Sequence, residues 1–339
     1  MGVLAMKRAN TGCDGLAETD CSRRRFLGLA AGAAGSVLLP RSQAALAGTA
    51  SSLPPGQRPS RVVRMQSGHV VTGSHVHRML FAEMLDRSLL ALTDQMTVRD
   101  AWRTILRADD VIGLKFNRSG QETIGTTPAV AEAIIASLTS SGWNAEKVVC
   151  IEAPPELVSK HGTLPAAEGY QAQETDFVSG VDQFASVLDQ VTAIIDVPYL
   201  KTHNIAGLSG ALKNLSHGLI KHPARFHRNG CSPYVADIVA APPIRSKLRL
   251  CIVDGLRAVF EGGPEATSER LGDEGLLLLS RDPVAVDAVG FSELNSVRSR
   301  RGMTAIGSDK GPLPYLQRAH EIGLGMAAWH GVEVRSIQP

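Results

Sequence analysis

Three short motifs carry side chains that could do anion and proton chemistry. They are Lys115 with Asn117 in V-I-G-L-K-F-N (111–117), Lys201 and His203 in L-K-T-H-N (200–204), and Lys213 with Asn214 in G-A-L-K-N (210–214). Ammonium groups gathered in a partly dry cleft need a bound anion or neighbouring carboxylates. A carboxylate or phosphate ligand would satisfy them. Pairing with Glu152, Asp196 or Asp254 as a structural ion network would do so equally. An imidazole titrates near neutral pH, so His203 is the candidate for proton transfer. The sequence therefore assigns candidate catalytic roles to His203, Lys201 and Lys213, and substrate-binding roles to Lys115, Asn117 and Asn214.

Metal chemistry is a second expectation. His217, His222 and His227 follow the third motif, and R-F-H (225–227) leads to Cys231. With Asp254 or Glu152 these side chains could ligate a divalent cation, and Asp254 with His227 is the expected pair. Their H-x4-H-x4-H spacing matches no recognised zinc motif. Asp282 precedes Pro283 at the start of a helix and is expected to cap it. Asp287, one and a half turns later, either reaches the cleft or faces solvent. Both aspartates count as site-supporting residues.

These groups need elements to position them. The apolar run Val191–Ile195 reads as a buried strand that Pro198 stops, because proline has no N–H for a ladder. A polar turn then carries Lys201, His203 and Asn204, and a helix is expected over residues 207–220. On it Leu208, Leu212, Leu215 and Leu219 share one side, with Lys213, Asn214 and His217 opposite. That polar side is either a solvated face or the wall of a site. Further strands are expected at 61–65, 111–116, 147–151, 248–253 and 275–279. Helices are expected at 76–92, 98–106, 128–138, 181–188, 234–240, 283–295 and 313–322, and residues 154–180 read as irregular. Strands alternating with helices predict an α/β fold with a mainly parallel sheet flanked by helices. Five strands finish at Asn117, Glu152, Asp196, Asp254 and Asp282. The expectation is that these ends share one edge, where ligands of such sheets bind.

The chain of 339 residues is 44% hydrophobic and 20% charged, ordinary values for a globular protein. Residues 1–47 read as a twin-arginine signal peptide: Ser22-Arg23-Arg24-Arg25-Phe26-Leu27, an apolar run to Leu39, and cleavage after Ala45-Leu46-Ala47. The apolar run is too short to span a bilayer, and no later stretch is long enough. The expected address is periplasmic or extracellular, with the twin-arginine translocase as a partner during export. Residues 48–60 read as a linker, and 61–330 as a single α/β domain. Removing the signal leaves 29 basic and 30 acidic side chains, a net charge of −1. That balance, with 4% aromatics, excludes a basic or base-stacking nucleic-acid surface. Cys150, Cys231 and Cys251 remain, without a C-x-x-C pair, so the chain has no iron–sulfur cysteine motif. No G-x-G-x-x-G after a strand, P-loop or G-x-S-x-G occurs, which weighs against dinucleotide, nucleotide and serine-hydrolase chemistry.

The same motifs, with I-V-D-G (252–255), G-G-P (262–264) and R-D-P-V-A-V-D-A (281–288), resemble the domain-of-unknown-function family 362 from about Val62 to Gly325. The resemblance implies motif positions at Lys115, Asn117, Lys201, His203, Lys213, Asn214, Asp254, Asp282 and Asp287. It implies no particular activity. Some members carry a segment of clustered cysteines that this chain lacks. Two functions follow as expectations. One is an exported enzyme acting on a small anionic substrate. The other is a binding protein or assembly factor for a metal, cofactor or anionic metabolite.

Overall fold

Short runs such as Ile112–Lys115, Val148–Ile151 and Ala193–Asp196 are buried at every position. Strands apolar on both faces must be covered on both sides, as in a layered α/β protein. A computed structural model shows this arrangement and describes residues 59–307 and 313–338. The signal peptide expected at 1–47, and all but the last two residues of the linker expected at 48–60, lie outside the described residues.

The strands are β1 (Ser60–Gln66), β2 (Ile112–Lys115), β3 (Val148–Ile151), β4 (Leu164–Pro165), β5 (Ala193–Asp196), β6 (Tyr199–His203), β7 (Gly207–Ser209), β8 (Leu248–Val259), β9 (Leu271–Ser280) and β10 (Val332–Ile337). Along the mixed sheet the order is β10-β1-β9-β8-β5-β2-β3-β4, and β6 pairs with both β8 and β7. Most pairs are parallel. The exceptions are β1 with β9, β8 with β9, and β6 with β7. Alternate residues of one strand enter different cores. Ile194 joins the cluster containing Leu212, Leu215, Val235 and Val286, while Ile195 joins that of Phe81, Trp102, Val130 and Ile134. The first core is covered by α4 (Ala211–His217), α5 (Tyr234–Ala240) and α6 (Pro283–Ser299). The second is covered by α1 (Arg78–Thr93), α2 (Val98–Ile105) and α3 (Thr127–Ser140).

Three expectations change around the site. Pro198 does not end the extended chain but shifts it sideways. β5 pairs with the first part of β8, Leu248 to Cys251, and β6 pairs with the second, Asp254 to Val259. Asp254 N donates to the Pro198 carbonyl at 2.8 Å, closing the step. Lys201 and His203 therefore sit on a strand rather than in a turn. The expected helix over 207–220 is shorter. Gly207–Ser209 forms a hairpin with β6, with Lys201 opposite Ser209, and α4 starts only at Ala211. Of the two readings of the polar side of this helix, the solvated face does not hold, since Lys213 and Asn214 are 5% and 2% exposed.

The shared edge shrinks as well. β2, β3 and β5 run parallel with Lys115 opposite both Ile151 and Asp196, so Asn117, Glu152 and Asp196 do gather at one end. Asp254 lies inside β8 instead of at its end. β9 is antiparallel to β8, which carries Asp282 to the other end of the sheet. There Asp282 accepts from Ser60 Oγ at 2.5 Å and from the backbone of Val284 and Ala285, the N-cap expected of it. The 181–188 helix reduces to Val187–Gln190, and Pro155–His161 is helical within the stretch read as irregular.

Candidate functional site

Above the ends of β2, β3 and β5 lies a cleft of about 530 Å³. Asn117, Glu152, Lys201, His203, Lys213, Asn214, His217 and His227 are among its lining residues. The side chains expected from three distant motifs are thus brought together, but with unequal freedom to meet a ligand.

Lys115 is fully buried and is not part of the lining. Its Nζ donates to Glu152 Oε2 at 2.9 Å, to the Phe116 carbonyl at 2.7 Å and to Asn214 Oδ1 at 3.1 Å. An ammonium has three N–H donors, so none is left for a substrate. Asn214 is equally committed. Its Nδ2 donates to Asp196 Oδ1 at 2.7 Å and to the Lys115 carbonyl at 3.3 Å. Its Oδ1 accepts from Lys115 and from Asn117 Nδ2, the latter at 3.0 Å. These two residues brace the cleft. Asp196, completely buried beside them, is pushed well above the usual carboxyl range by its burial, against the pull of Lys115. Protonated, it needs no counter-ion.

Lys201 and Lys213 are different. Lys201 Nζ donates to Asn117 Oδ1 at 3.0 Å and to the Ser119 carbonyl at 2.7 Å, leaving one tetrahedral position. Lys213 Nζ has one partner, Nε2 of His227 at 3.1 Å. Among the described residues neither amine has a carboxylate within 4.0 Å, although both are buried. Burial lowers each to about 8, with the charges of Lys115 and Lys213 adding to the effect at Lys201 and that of Glu265 opposing it.

His203 is placed in the cleft. Its Nδ1 accepts from the backbone N–H groups of Ile205 and Ala206, both at 3.2 Å. The neutral ring then carries its hydrogen on Nε2. Burial and the charge of Lys213 push it down to about 3. So arranged, the neutral ring offers an Nε2 hydrogen as a donor.

The expected metal pair is not brought together. The Asp254 carboxylate accepts from Thr126 Oγ1 at 2.5 Å and from Leu256 N at 3.1 Å, outside the cleft lining. Burial raises it to about 6 against those bonds. His222 turns away to Asp182 at 2.9 Å. Asp287 reaches neither cleft nor solvent. It accepts from Ala211 N at 2.6 Å and Leu212 N at 3.0 Å, fixing the start of α4. The Gly262-Gly263-Pro264 loop closes one side. Asn204 N donates to the Gly263 carbonyl at 2.9 Å, and a Cβ at Gly263 would overlap the Thr202 carbonyl.

Sequence reasoning gave no cleft role to Ser119, Ser209 or Glu265, all of which line it. Ser119 and Glu265 meet through a 2.9 Å bond across 146 residues, a separation no local pattern reports. The hint for Ser209 was the alternation L-S-G after a hairpin turn, masked by the leucine spacing downstream.

No curated protein matches the chain. Residues 111–292, which hold nearly all of the residues described above, match the family described as Domain of unknown function (DUF362). This chain belongs to that family.

Proposed function

We propose that the protein is an exported enzyme acting on a small anionic substrate, a carboxylate or phosphate held between Lys201 and Lys213. One observation carries this reading: two buried amines line one cleft with donors to spare and, among the described residues, no carboxylate within 4.0 Å. A buried cation without a counter-ion is costly, and an anionic guest removes that cost. His203 supplies a further neutral donor to the guest. In its neutral form Lys201 suits proton transfer instead, with the anion then held by Lys213. With its two hydrogens directed to Asn117 and Ser119, the neutral amine keeps its lone pair for the remaining position. A base that titrates near about 8 is well matched to abstracting a proton beside a carboxylate.

The bonds that make His203 a donor through Nε2 also suit a second reading, a non-catalytic binding protein using the same cleft. A panel of small carboxylates and phosphates, read by melting shift and by mass spectrometry for conversion, separates the two. Turnover that disappears in Lys201→Met supports the enzyme. Binding that weakens in Lys201→Met without turnover supports the binding protein. A panel in which Lys201→Met behaves as wild type throughout would sink both.

The export half rests on the Arg23-Arg24 motif and is tested by fusing residues 1–47 to a folded reporter. The reporter should leave the cytoplasm, and Arg23→Lys with Arg24→Lys should retain it. Equal distribution of the two fusions would count against the pathway.

A further inference from the structure

His217 and His227 line the cleft beside the two lysines, and Cys231 contributes a third donor atom. The ligand atoms of these three side chains all lie within 4.8 Å of one another. Cys231 itself is buried and does not line the cleft.

The hydrogen bonds fix the form of the His227 ring and allow the matching form of His217. His227 Nδ1 lies 3.1 Å from the Pro223 carbonyl, which can only accept, so this nitrogen carries the hydrogen and Nε2 keeps a lone pair. With the Ser216 hydroxyl donating to the Lys213 carbonyl at 3.3 Å, its oxygen can accept from His217 Nδ1 at 3.0 Å. That again leaves the lone pair on Nε2. This atom of His217 is buried and, among the described residues, makes no hydrogen bond of good geometry, with the Phe226 carbonyl a polar neighbour of the ring. Metal-bound histidines have this arrangement: one ring nitrogen held by an oxygen partner, the other bare. A buried polar atom without a partner in a native fold calls for an explanation, and an ion is one.

The backbone adds a separate observation. Asn229, Gly230 and Cys231 are consecutive left-handed residues, with φ of 52°, 63° and 66°. Asparagine and glycine tolerate this conformation, but for Cys231 it is unfavourable. It is this turn that presents the Cys231 thiol to the two rings.

We propose that His217, His227 and Cys231 form a binding site for a thiophilic divalent transition metal, Zn²⁺ in the first place, with the remaining coordination position open to the cleft. Two imidazoles, one thiolate and one open position match the donor set of catalytic rather than structural zinc. The thiol gives up its proton as the metal binds. Lys213 Nζ, now 3.1 Å from the lone pair of His227, must leave it, which frees a donor for an anion in the cleft. The site shares the cleft with the anion but stands on other side chains.

The test is titration of the reduced, chelator-treated full chain with Co²⁺ and then Zn²⁺. One equivalent of Co²⁺ should bind with a thiolate-to-cobalt charge-transfer band that Zn²⁺ abolishes. Cys231→Ser should lose that band, and His217→Ala should bind at least about tenfold more weakly, as expected for a lost ligand. X-ray absorption of the Zn²⁺-loaded wild type should show one sulfur among nitrogen donors, a result independent of any variant's folding. No saturable uptake by wild type, or a shell without sulfur, would overturn the proposal. Phosphate binding by Cys231→Ala is followed in parallel. Its retention keeps the anion reading whatever the metal result, and its loss in wild type leaves the metal result unaffected.

Discussion

Lys201 Nζ donates to Asn117 Oδ1 at 3.0 Å, joining residues 84 apart in the chain. Through the other end of that amide, Asn117 is bonded to Asn214, and Asn214 to Lys115. Two neutral amides in series thus separate a lysine that is paired from one that is not. Asn117→Asp would place a carboxylate against Lys201 and supply the missing counter-ion. Phosphate or carboxylate binding should then weaken about tenfold or more while the fold persists. Calorimetric titration of wild type and variant checks this. Equal affinities would mean that Lys201 does not hold the anion.

Anion binding should also depend on pH in a defined direction. Only the protonated amine attracts the guest, and Lys201 loses its proton near about 8 instead of 10.5. Affinity should fall as pH rises through about 8, and binding at that pH should take up a proton, measurable in buffers of different ionisation heat. Without ligand the linkage has the opposite sense. Between about 8 and 10.5 the unfolded chain holds more protons than the native one, so this residue makes unfolding costlier as pH rises. A flat binding profile from pH 7 to 9 would exclude Lys201 as the titrating contact.

The brace around Lys115 predicts a stability effect at a residue with no polar side chain. A Cβ on Gly218 would lie 2.5 Å from Lys115 Nζ and 2.8 Å from the Asn214 carbonyl. The ammonium cannot yield without leaving one of its three acceptors. Gly218→Ala should cost about 1–3 kcal/mol in urea unfolding, the range for overpacking. An unchanged midpoint would mean that the brace is slack.

Asp287 gives a second stability test. Burial raises it from 3.8 to about 7, although two backbone N–H groups pull it down. In that window the native state keeps a proton that the unfolded chain has released. Its contribution therefore falls as pH rises from about 4 to 7. Asp287→Asn should flatten this part of the stability–pH curve. It should also lose about 1–2 kcal/mol at neutral pH, because an amide cannot accept from both Ala211 and Leu212. An unaltered slope would argue that Asp287 is ionised in the native state.

Much of the frame could be read from the chain. The runs at 111–116, 147–151 and 191–195 became strands, and Tyr234–Ala240 is helical over the span expected. The reading failed where a local rule met tertiary context. Pro198 looked like a terminator because its missing N–H was counted and its carbonyl was not, yet that carbonyl accepts from Asp254. Leucines at 208, 212, 215 and 219 kept helical spacing across a strand, a glycine and a helix. Direction was the deeper difficulty. A strand ending in a polar residue looks alike whether it runs with its neighbours or against them, so Asp282 could not be assigned to its edge. At the site, residue types identified the participants. Only geometry separated the saturated Lys115 from Lys201 and Lys213.

The sideways shift at Val197–Pro198 has one more result. β8 borders the central strands with its first half and the cleft hairpin with its second. Whatever is gripped at Lys201 is tied by one unbroken length of backbone to the middle of the molecule. Slowed amide exchange at Cys251 and Ile252 should therefore report a guest that neither residue ever touches.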